Sequence, residues 1–578
     1  MIQPGLERIA LLVKDLEFPW KAIHVAGTNG KGSICAHVAS LLQKRNVRAG
    51  RFTSPHLVNR WDCIQIDGWG ISKSKFMNAE KYFQRLNEAQ NIQASDFEIL
   101  TAIVFQIFTH ERVKIGVVEV GMGGKLDSTN ILNNQAVSVI SKISYDHEGF
   151  LGNTLDEIAR HKAGILRPNV PYVVNTSNEW NVRNVIEEIA NEVGAGPLVH
   201  ADTEDLRERI WSTSKWKNFA STLAPFQRDN AVLAYLAVEE ALKGLGKSPS
   251  KVGQVVDAFK NKPFPGRFHN QGVPAVFGPD RTVLVDGAHN EDAAKALREY
   301  IGTSSKISGS RIGFGKSPMQ DPGVLRTRKP ITWVLAMSDT KDVDKFLATL
   351  VQDGDGVVTA KFGPVEGMPW VQAMDPQKIL EAARRLHPNI AGVAVPEVGA
   401  HRALLAAKYL SSDDTLIVLT GSLYFVGTLM RELREKKYDE HGTSMDAIEA
   451  QERKRFAQLD PNSKMGHWDI NRHAATEHVS SREDSMRQKL QDDVRELDDM
   501  LNSVQQESED IRQDSVRRLE KACASPLSSD LSSTIQQGRN SLKERFQVDV
   551  DDIRMRVDAL SALDSPNRRR GSGTRRES

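Results

Sequence analysis

The sequence predicts an α/β protein with two Rossmann-like parallel-sheet domains, followed by an α-helical, partly disordered extension. Three observations carry that expectation. Strand-like apolar runs alternate with helical segments up to residue 435, the pattern of a parallel sheet. A proline- and glycine-rich joint, Pro263-Phe264-Pro265-Gly266-Arg267-Phe268, divides that region in two. From residue 436 apolar density falls and charge rises. The expected domains are therefore residues 1–268, 269–435 and 436–578.

Composition narrows the class. At 578 residues, 40% hydrophobic and 26% charged, the chain has ample material for several cores. A net charge of +1 gives no field that would draw nucleic acid or membrane. Cys35, Cys63 and Cys523 are too few and too scattered for a disulfide framework or a zinc site, which fits a reducing compartment. No apolar run reaches membrane-spanning length. Glu7, Asp15 and Glu17 run against the acid-poor character of a transit peptide, so the cytosol is expected rather than the mitochondrion.

Taken in order, residues 1–21 read as a short amphipathic helix on Leu6, Ile9, Leu12 and Val13. A strand, Ile23-His24-Val25-Ala26, then enters the turn Gly27-Thr28-Asn29-Gly30. A helix follows on Ile34, Val38, Leu41 and Leu42. A strand that ends in a glycine loop at a helix N-terminus offers backbone N–H groups and a favourable dipole to a phosphate. Lys31 adds a full charge there. Ser33 places a hydroxyl where Mg²⁺ on a nucleotide sits, although Val25 stands where the common loop has its first glycine. ATP is the expected ligand.

Gly50 to Leu57 is a strand end with a proline-broken loop, and an apolar helix centres on Phe97 to Phe108. Ile115 to Val120 is a strand interrupted by Glu119 just before Gly121-Met122-Gly123-Gly124. Val137 to Ile143 runs into Ser144-Tyr145-Asp146-His147. Singly, Glu119 reads as a paired core carboxylate and His147 as a turn cap. Ligands of parallel sheets lie beyond the strands' carboxyl ends, so three strand ends bearing Lys31 with Ser33, Glu119 and His147 together point to a site. Thr154-x-x-Glu157 is a capping box for a helix closed by Gly164. Spacing alone assigns Lys162 to that helix's dipole.

In the second block the strands read Thr282–Val285, Ile331–Met337, Gly392–Val395 and Thr415–Leu419, the first ending in Asp286-Gly287-Ala288-His289-Asn290. Thr303 to Lys329 reads as an exposed loop. Beyond residue 436, Leu490, Val494, Leu497, Leu501, Val504 and Ile511 follow a heptad pattern, repeated by Leu542, Phe546, Val550, Ile553, Val557 and Leu560. These predict two helices, pairing with each other or with another coiled coil, before a basic tail from Ser565 that is too polar to fold alone.

These motifs resemble the folylpolyglutamate synthase and dihydrofolate synthase branch of the Mur ligases over residues 1–435. The resemblance rests on His24 to Ser33, Thr53-Ser-Pro-His-Leu57, Glu119 to Asn130, Asp146-His147, Lys162-Ala-Gly-Ile165, Pro265-Gly-Arg267 and Asp286 to Asn290. Thr28-Asn29 and Gly124-Lys-Leu-Asp127 are similar to dihydrofolate synthases and bifunctional enzymes. Val365-Glu-Gly-Met-Pro-Trp370 and Gly421-Ser-Leu-Tyr424 are similar to the monofunctional dihydrofolate synthases. Met122, Lys125 and Ser128 replace the family's Leu, Arg and Ala, and the family's glycine before Gln227 is missing.

The resemblance implies a P-loop ATPase domain and a smaller C-terminal ligase domain that join L-glutamate to dihydropteroate through an acyl phosphate, using ATP and Mg²⁺. By the family pattern Gly27, Thr28, Asn29, Gly30, Lys31, Gly32, Ser33, Asn230, Arg267 and Asp286 hold the nucleotide. Ser33 faces its metal ion, while Ser54, Glu119 and His147 match the ligands of a second. Lys162 falls on a lysine that is carbamylated in this family. His289 and Ser422 match the glutamate side, and Lys31, Lys162, His147 and His289 carry the catalytic roles. The catalytic part is expected to be monomeric, the tail to self-associate. A polyglutamate synthase or bifunctional enzyme extending tetrahydrofolate is the alternative within the class. A catalytically dead scaffold working through its tail is the alternative outside it.

Overall fold

The computed structural model describes residues 5–260, 264–278, 281–307, 329–412 and 415–441. All of the described residues lie in one compact unit, Met1–Pro461, which contains two sheets. The heptad stretches, Cys523 and the basic tail lie outside the described residues.

The first sheet comprises β1 (Lys21–Ala26), β2 (Ala49–Phe52), β3 (Ile64–Ile66), β4 (Trp69–Gly70), β5 (Ile115–Glu119), β6 (Gln135–Ile140) and β7 (Tyr172–Val174), in the order β4-β3-β2-β5-β1-β6-β7. Its β2, β5, β1, β6 and β7 run parallel, while β3 and β4 add an antiparallel edge. The order matters for function: the four adjacent strands β2, β5, β1 and β6 aim Ser54, Glu119, the glycine loop and Asp146-His147 at one edge.

The second sheet comprises β8 (His269–Gly272), β9 (Thr282–Val285), β10 (Ile331–Leu335), β11 (Gly356–Lys361), β12 (Ala391–Val398) and β13 (Leu416–Thr420), ordered β12-β11-β10-β13-β9-β8. Only β8 pairs antiparallel. Apolar clusters pack both sheets on both faces. The helix Lys31–Lys44 lies on one face of the first sheet with Pro225–Gly244, and Asp96–His110 covers the other. Among the described residues no helix is long and apolar enough to cross a membrane.

Several local expectations change. The N-terminal helix is only Glu7–Leu12, since Trp20 is already buried and β1 starts at Lys21. β6 ends at Ile140, so Ser144 to His147 sit on a longer loop than the apolar run predicts. The Thr154–Glu157 capping box is present, but Gly164 closes its helix with φ −60°, so the stop does not use glycine's left-handed freedom. A helix runs Glu291–Ile307, taking the start of the expected 303–329 loop, whose residues 308–328 lie outside the described ones. The last helix, Leu423–His441, overruns the expected boundary at 435.

Candidate active site

The glycine loop owes its shape to two positions. Gly27 has φ 142°, and a Cβ there would stand 1.8 Å from Ser141 Oγ. Gly30 has φ 90°, and a Cβ there would stand 2.5 Å from Asn230 Oδ1. Only glycine accepts both the backbone and the close approach. The loop is pinned from β6's extension: the Thr28 and Asn29 N–H groups donate to the Lys142 carbonyl at 2.8 and 3.1 Å, and Ser141 Oγ donates to the Asn29 carbonyl at 2.8 Å. Asn230 thus lies buried against the phosphate loop itself.

Two lysines converge on one carbonyl. Lys31 Nζ donates to Gly27 O at 3.1 Å and Thr28 O at 3.2 Å, and Lys162 Nζ donates to the same Gly27 O at 2.9 Å. Lys162 is buried, reaching across from the helix Leu155–Ala163. Its dipole position is therefore incidental, and its amine belongs to the loop. Burial, with Lys31 second, brings it down to about 7, so near neutrality much of it is uncharged.

Glu119 is buried at the end of β5, and its Oε2 accepts from the Ser54 N–H at 3.3 Å. Burial pushes its carboxyl up, against the opposing pull of Lys31, Arg267, that N–H and Arg51. Ser33 stands half-buried in the first turn of the helix Lys31–Lys44. His147 has φ 55°, a left-handed conformation that non-glycine residues adopt at a cost. Its side chain is 44% exposed, and partial desolvation, with the charges of Lys341, Lys162 and Lys31, lowers its imidazole against the pull of Asp146. Among the described residues no three His, Cys, Asp or Glu side chains close on a metal by themselves. Ser33 on one side, and Glu119, His147 and Ser54 on the other, each fit a hard divalent cation only if phosphate oxygens or water complete its shell.

The second sheet completes the edge. Asp286 is buried, with Oδ1 accepting from the Ala288 N–H at 2.8 Å and Oδ2 from the Phe268 N–H at 2.9 Å. Burial raises its carboxyl, and Arg267 leads the opposing interactions. His289 Nδ1 meets the Gly287 carbonyl at 2.8 Å, and its Nε2 lies 3.6 Å from Asp146 Oδ2. Ser422 is buried one residue after Gly421, whose N–H donates to Ala288 O at 2.9 Å, so it stands beside the Asp286–Asn290 loop.

Sequence reasoning missed one bridging cation. Lys341 donates to Asp146 Oδ1 at 2.6 Å, joining the second sheet to the first beside His147 and His289. Burial alone would raise Asp146, but its contact with His289, then the neighbouring His147 and the paired Lys341, hold it well below the usual carboxylate range. Lys341 sits past the carboxyl end of β10, so the rule that singled out His147 and His289 would have found it.

This architecture defines a Mur-ligase-type class, and comparison agrees: the Mur ligase middle domain matches residues 25–220. The dihydrofolate synthetase C-terminal domain matches residues 275–432. A Schizosaccharomyces pombe "Probable dihydrofolate synthetase" is 34% identical over 443 residues, covering 75% of this chain and 99% of its own length. The Saccharomyces cerevisiae dihydrofolate synthetase is 33% identical over 447 residues, covering 74% and 98%. The crystal structure of Mycobacterium tuberculosis folylpolyglutamate synthase complexed with ADP and AMPPCP aligns with a TM-score of 0.59 at 27% identity, covering 74% of this chain and 95% of that one. The chain belongs to the dihydrofolate synthetase family, ligases of folate synthesis.

Proposed function

We propose that the protein joins L-glutamate to 7,8-dihydropteroate at the expense of ATP, giving dihydrofolate, ADP and phosphate, with Mg²⁺ as the metal. The observation that carries this reading is the convergence of Lys31, Lys162 and buried Glu119 on the glycine loop, in a chain one-third identical to yeast dihydrofolate synthetase. A carboxylate and a triphosphate repel, so their reaction needs cations placed in advance. Lys31 supplies one on the loop. Metal ions held by Ser33 on the nucleotide and by Ser54, Glu119 and His147 beside it would supply further positive charge.

The carboxylate oxygen of dihydropteroate attacks the γ-phosphorus, and the β,γ-bridging P–O bond breaks with its electron pair leaving on ADP. The glutamate amine then attacks the acyl carbon, loses a proton and expels phosphate. Asp146, Lys341, His289 and Ser422 gather where the second sheet meets the first, which supports glutamate entering there. Lys162, held near 7, presents the uncharged amine that carbamylation requires.

Purified protein supplied with ATP, Mg²⁺, L-glutamate and either dihydropteroate or tetrahydrofolate tests the reading. Dihydrofolate from the first mixture alone supports it, and no product from that mixture sinks it. Product from both would establish the bifunctional reading, which the 27% identity over 457 residues to the Bacillus subtilis dihydrofolate synthase/folylpolyglutamate synthase favours. The heptad pattern supports a catalytic part that works without residues 442–578. Light scattering and turnover of a chain truncated after His441 test that division.

A further inference from the structure

We propose that Arg51 is a further residue of the phosphoryl-transfer site, held to serve the anion that enters beside Glu119 rather than any carboxylate of the protein. The inference rests on the reading that ATP donates its γ-phosphoryl at this edge.

Strand alternation places the side chain. On β2, a Cβ on Gly50 would stand 2.4 Å from Phe108, and Phe52 stacks on Phe97, so both neighbours face the helix Asp96–His110. Arg51 therefore turns to the opposite face. It pairs in register with Val117 of β5, whose side chain shares the core of Ile34, Cys35 and Val38 under the phosphate helix. Glu119, two residues after Val117, lies on that same face. Arg51 and Glu119 are thus diagonal neighbours on adjacent strands.

A guanidinium offers five N–H donors and a permanent charge. Arg51 Nε is buried with no acceptor, and among the described residues the side chain makes no hydrogen bond or ion pair. Glu119 acts on it through its charge without reaching ion-pair contact. Its close partner is the ring of Phe264, with Cζ 5.3 Å from the centroid. That ring also covers the first turn of the phosphate helix. A Cβ on Gly32 would stand 3.1 Å from Phe264 Cε1 and 3.4 Å from Glu119 Oε2. Guanidinium, ring, loop and carboxylate form one cluster.

Arg51 is half-buried with its Nε shielded from water, and a cation so placed without a counter-ion is costly, a cost that a ring face offsets only in part. Contact with the ring face leaves the guanidinium N–H donors available to an anion. The charge on the transferring phosphoryl spreads over its equatorial oxygens while the attacking carboxylate approaches, and a fixed planar fork of donors complements both. The competing account makes Arg51 a staple that fastens the 264–268 joint to the phosphate loop through Phe264.

Kinetics, melting temperature and the dissociation constants of ADP and AMPPCP, measured on R51Q, R51K and F264L, separate the two. R51Q should lower kcat by ~10²–10³-fold. It should leave ADP affinity within about twofold and abolish any preference for AMPPCP, which carries the extra phosphate group. R51K, with charge but no planar fork, should keep part of that preference and lose about tenfold in kcat. F264L, which keeps the charge, should cost no more than about tenfold.

Equal losses of ADP and AMPPCP affinity in R51Q, with a lower melting temperature, would establish the staple and overturn the proposal. So would R51K or R51Q with wild-type kcat, or a wild-type protein that does not distinguish the two nucleotides. Should R51Q not fold, R51K carries the test alone. A wild-type protein that prefers AMPPCP yet makes no dihydrofolate would sink the substrate reading and leave this inference standing.

Discussion

The carboxyl edges of the two sheets are both polar, yet they are built on opposite principles. At the second, the polar groups of the Asp286–Asn290 loop are satisfied by nearby backbone: both Asp286 oxygens accept backbone N–H groups, His289 Nδ1 is fixed on Gly287 O, and Asn290 Oδ1 accepts from the Ala293 N–H. At the first, two lysines crowd one carbonyl, Glu119 is buried with a single backbone donor, and Arg51 Nε has no acceptor. The second edge is preformed geometry. The first holds charge that only a ligand can balance, and it marks where the chemistry occurs. Asp146 and Lys341 tie one to the other.

If that contrast is right, substitutions at the first edge should cost activity and spare stability. Lys31→Ala should show the largest effect, a loss of ~10²–10³-fold in kcat with little change in melting temperature. Near-normal turnover at saturating ATP would mean the loop is only a turn.

Glu119→Gln should lower ligation by ~10²-fold and raise stability at neutral pH, since it removes a carboxylate that burial disfavours. The sign follows from linkage: a carboxyl with a raised folded-state pKa favours folding while protonated, and that contribution is lost as pH rises through the folded value. The stability gap between variant and wild type, from melting curves, should therefore widen from acid to neutral pH. A variant less stable at every pH would place Glu119 among satisfied core charges.

Lys162→Met should cost at least ~10-fold in activity, and its pH signature is independent of turnover. The folded amine titrates at about 7 and the unfolded one near 10.5, so the unfolded chain binds more protons in between. Wild-type stability should climb with pH across that window, and the variant should climb less. Identical slopes would contradict the assignment.

Asp146→Asn sharpens the comparison from the bridge. It leaves Lys341 without its carboxylate and should lower kcat/KM for glutamate by about tenfold while sparing ADP binding. Equal losses for nucleotide and glutamate would mean the bridge only holds the fold together.

The sequence made the first edge legible where the signal is local. A strand, a glycine loop and a helix are contiguous, and Glu119 and His147 announce themselves as polar groups past apolar runs. Lys162 was not legible in the same way. Its partner Gly27 lies 135 residues away, and in its own segment it reads as an ordinary last-turn lysine. Arg51 was hidden because an arginine on an edge-proximal strand reads as solvent-facing until alternation against Gly50 and Phe52 fixes its side. The strands β3, β4, β7 and β8 are too short for a period to register. β11 escaped because Asp353-Gly354-Asp355 immediately before it signals a turn.

The central claim is that the first edge passes phosphoryl from ATP to a carboxylate before glutamate arrives. Dihydropteroate labelled with ¹⁸O in its carboxylate tests that step directly, because the attacking oxygen stays with phosphorus when the amine displaces phosphate. Single-turnover ligation should release inorganic phosphate bearing one ¹⁸O from the labelled acid. Dihydrofolate formed alongside wholly unlabelled phosphate would contradict the account.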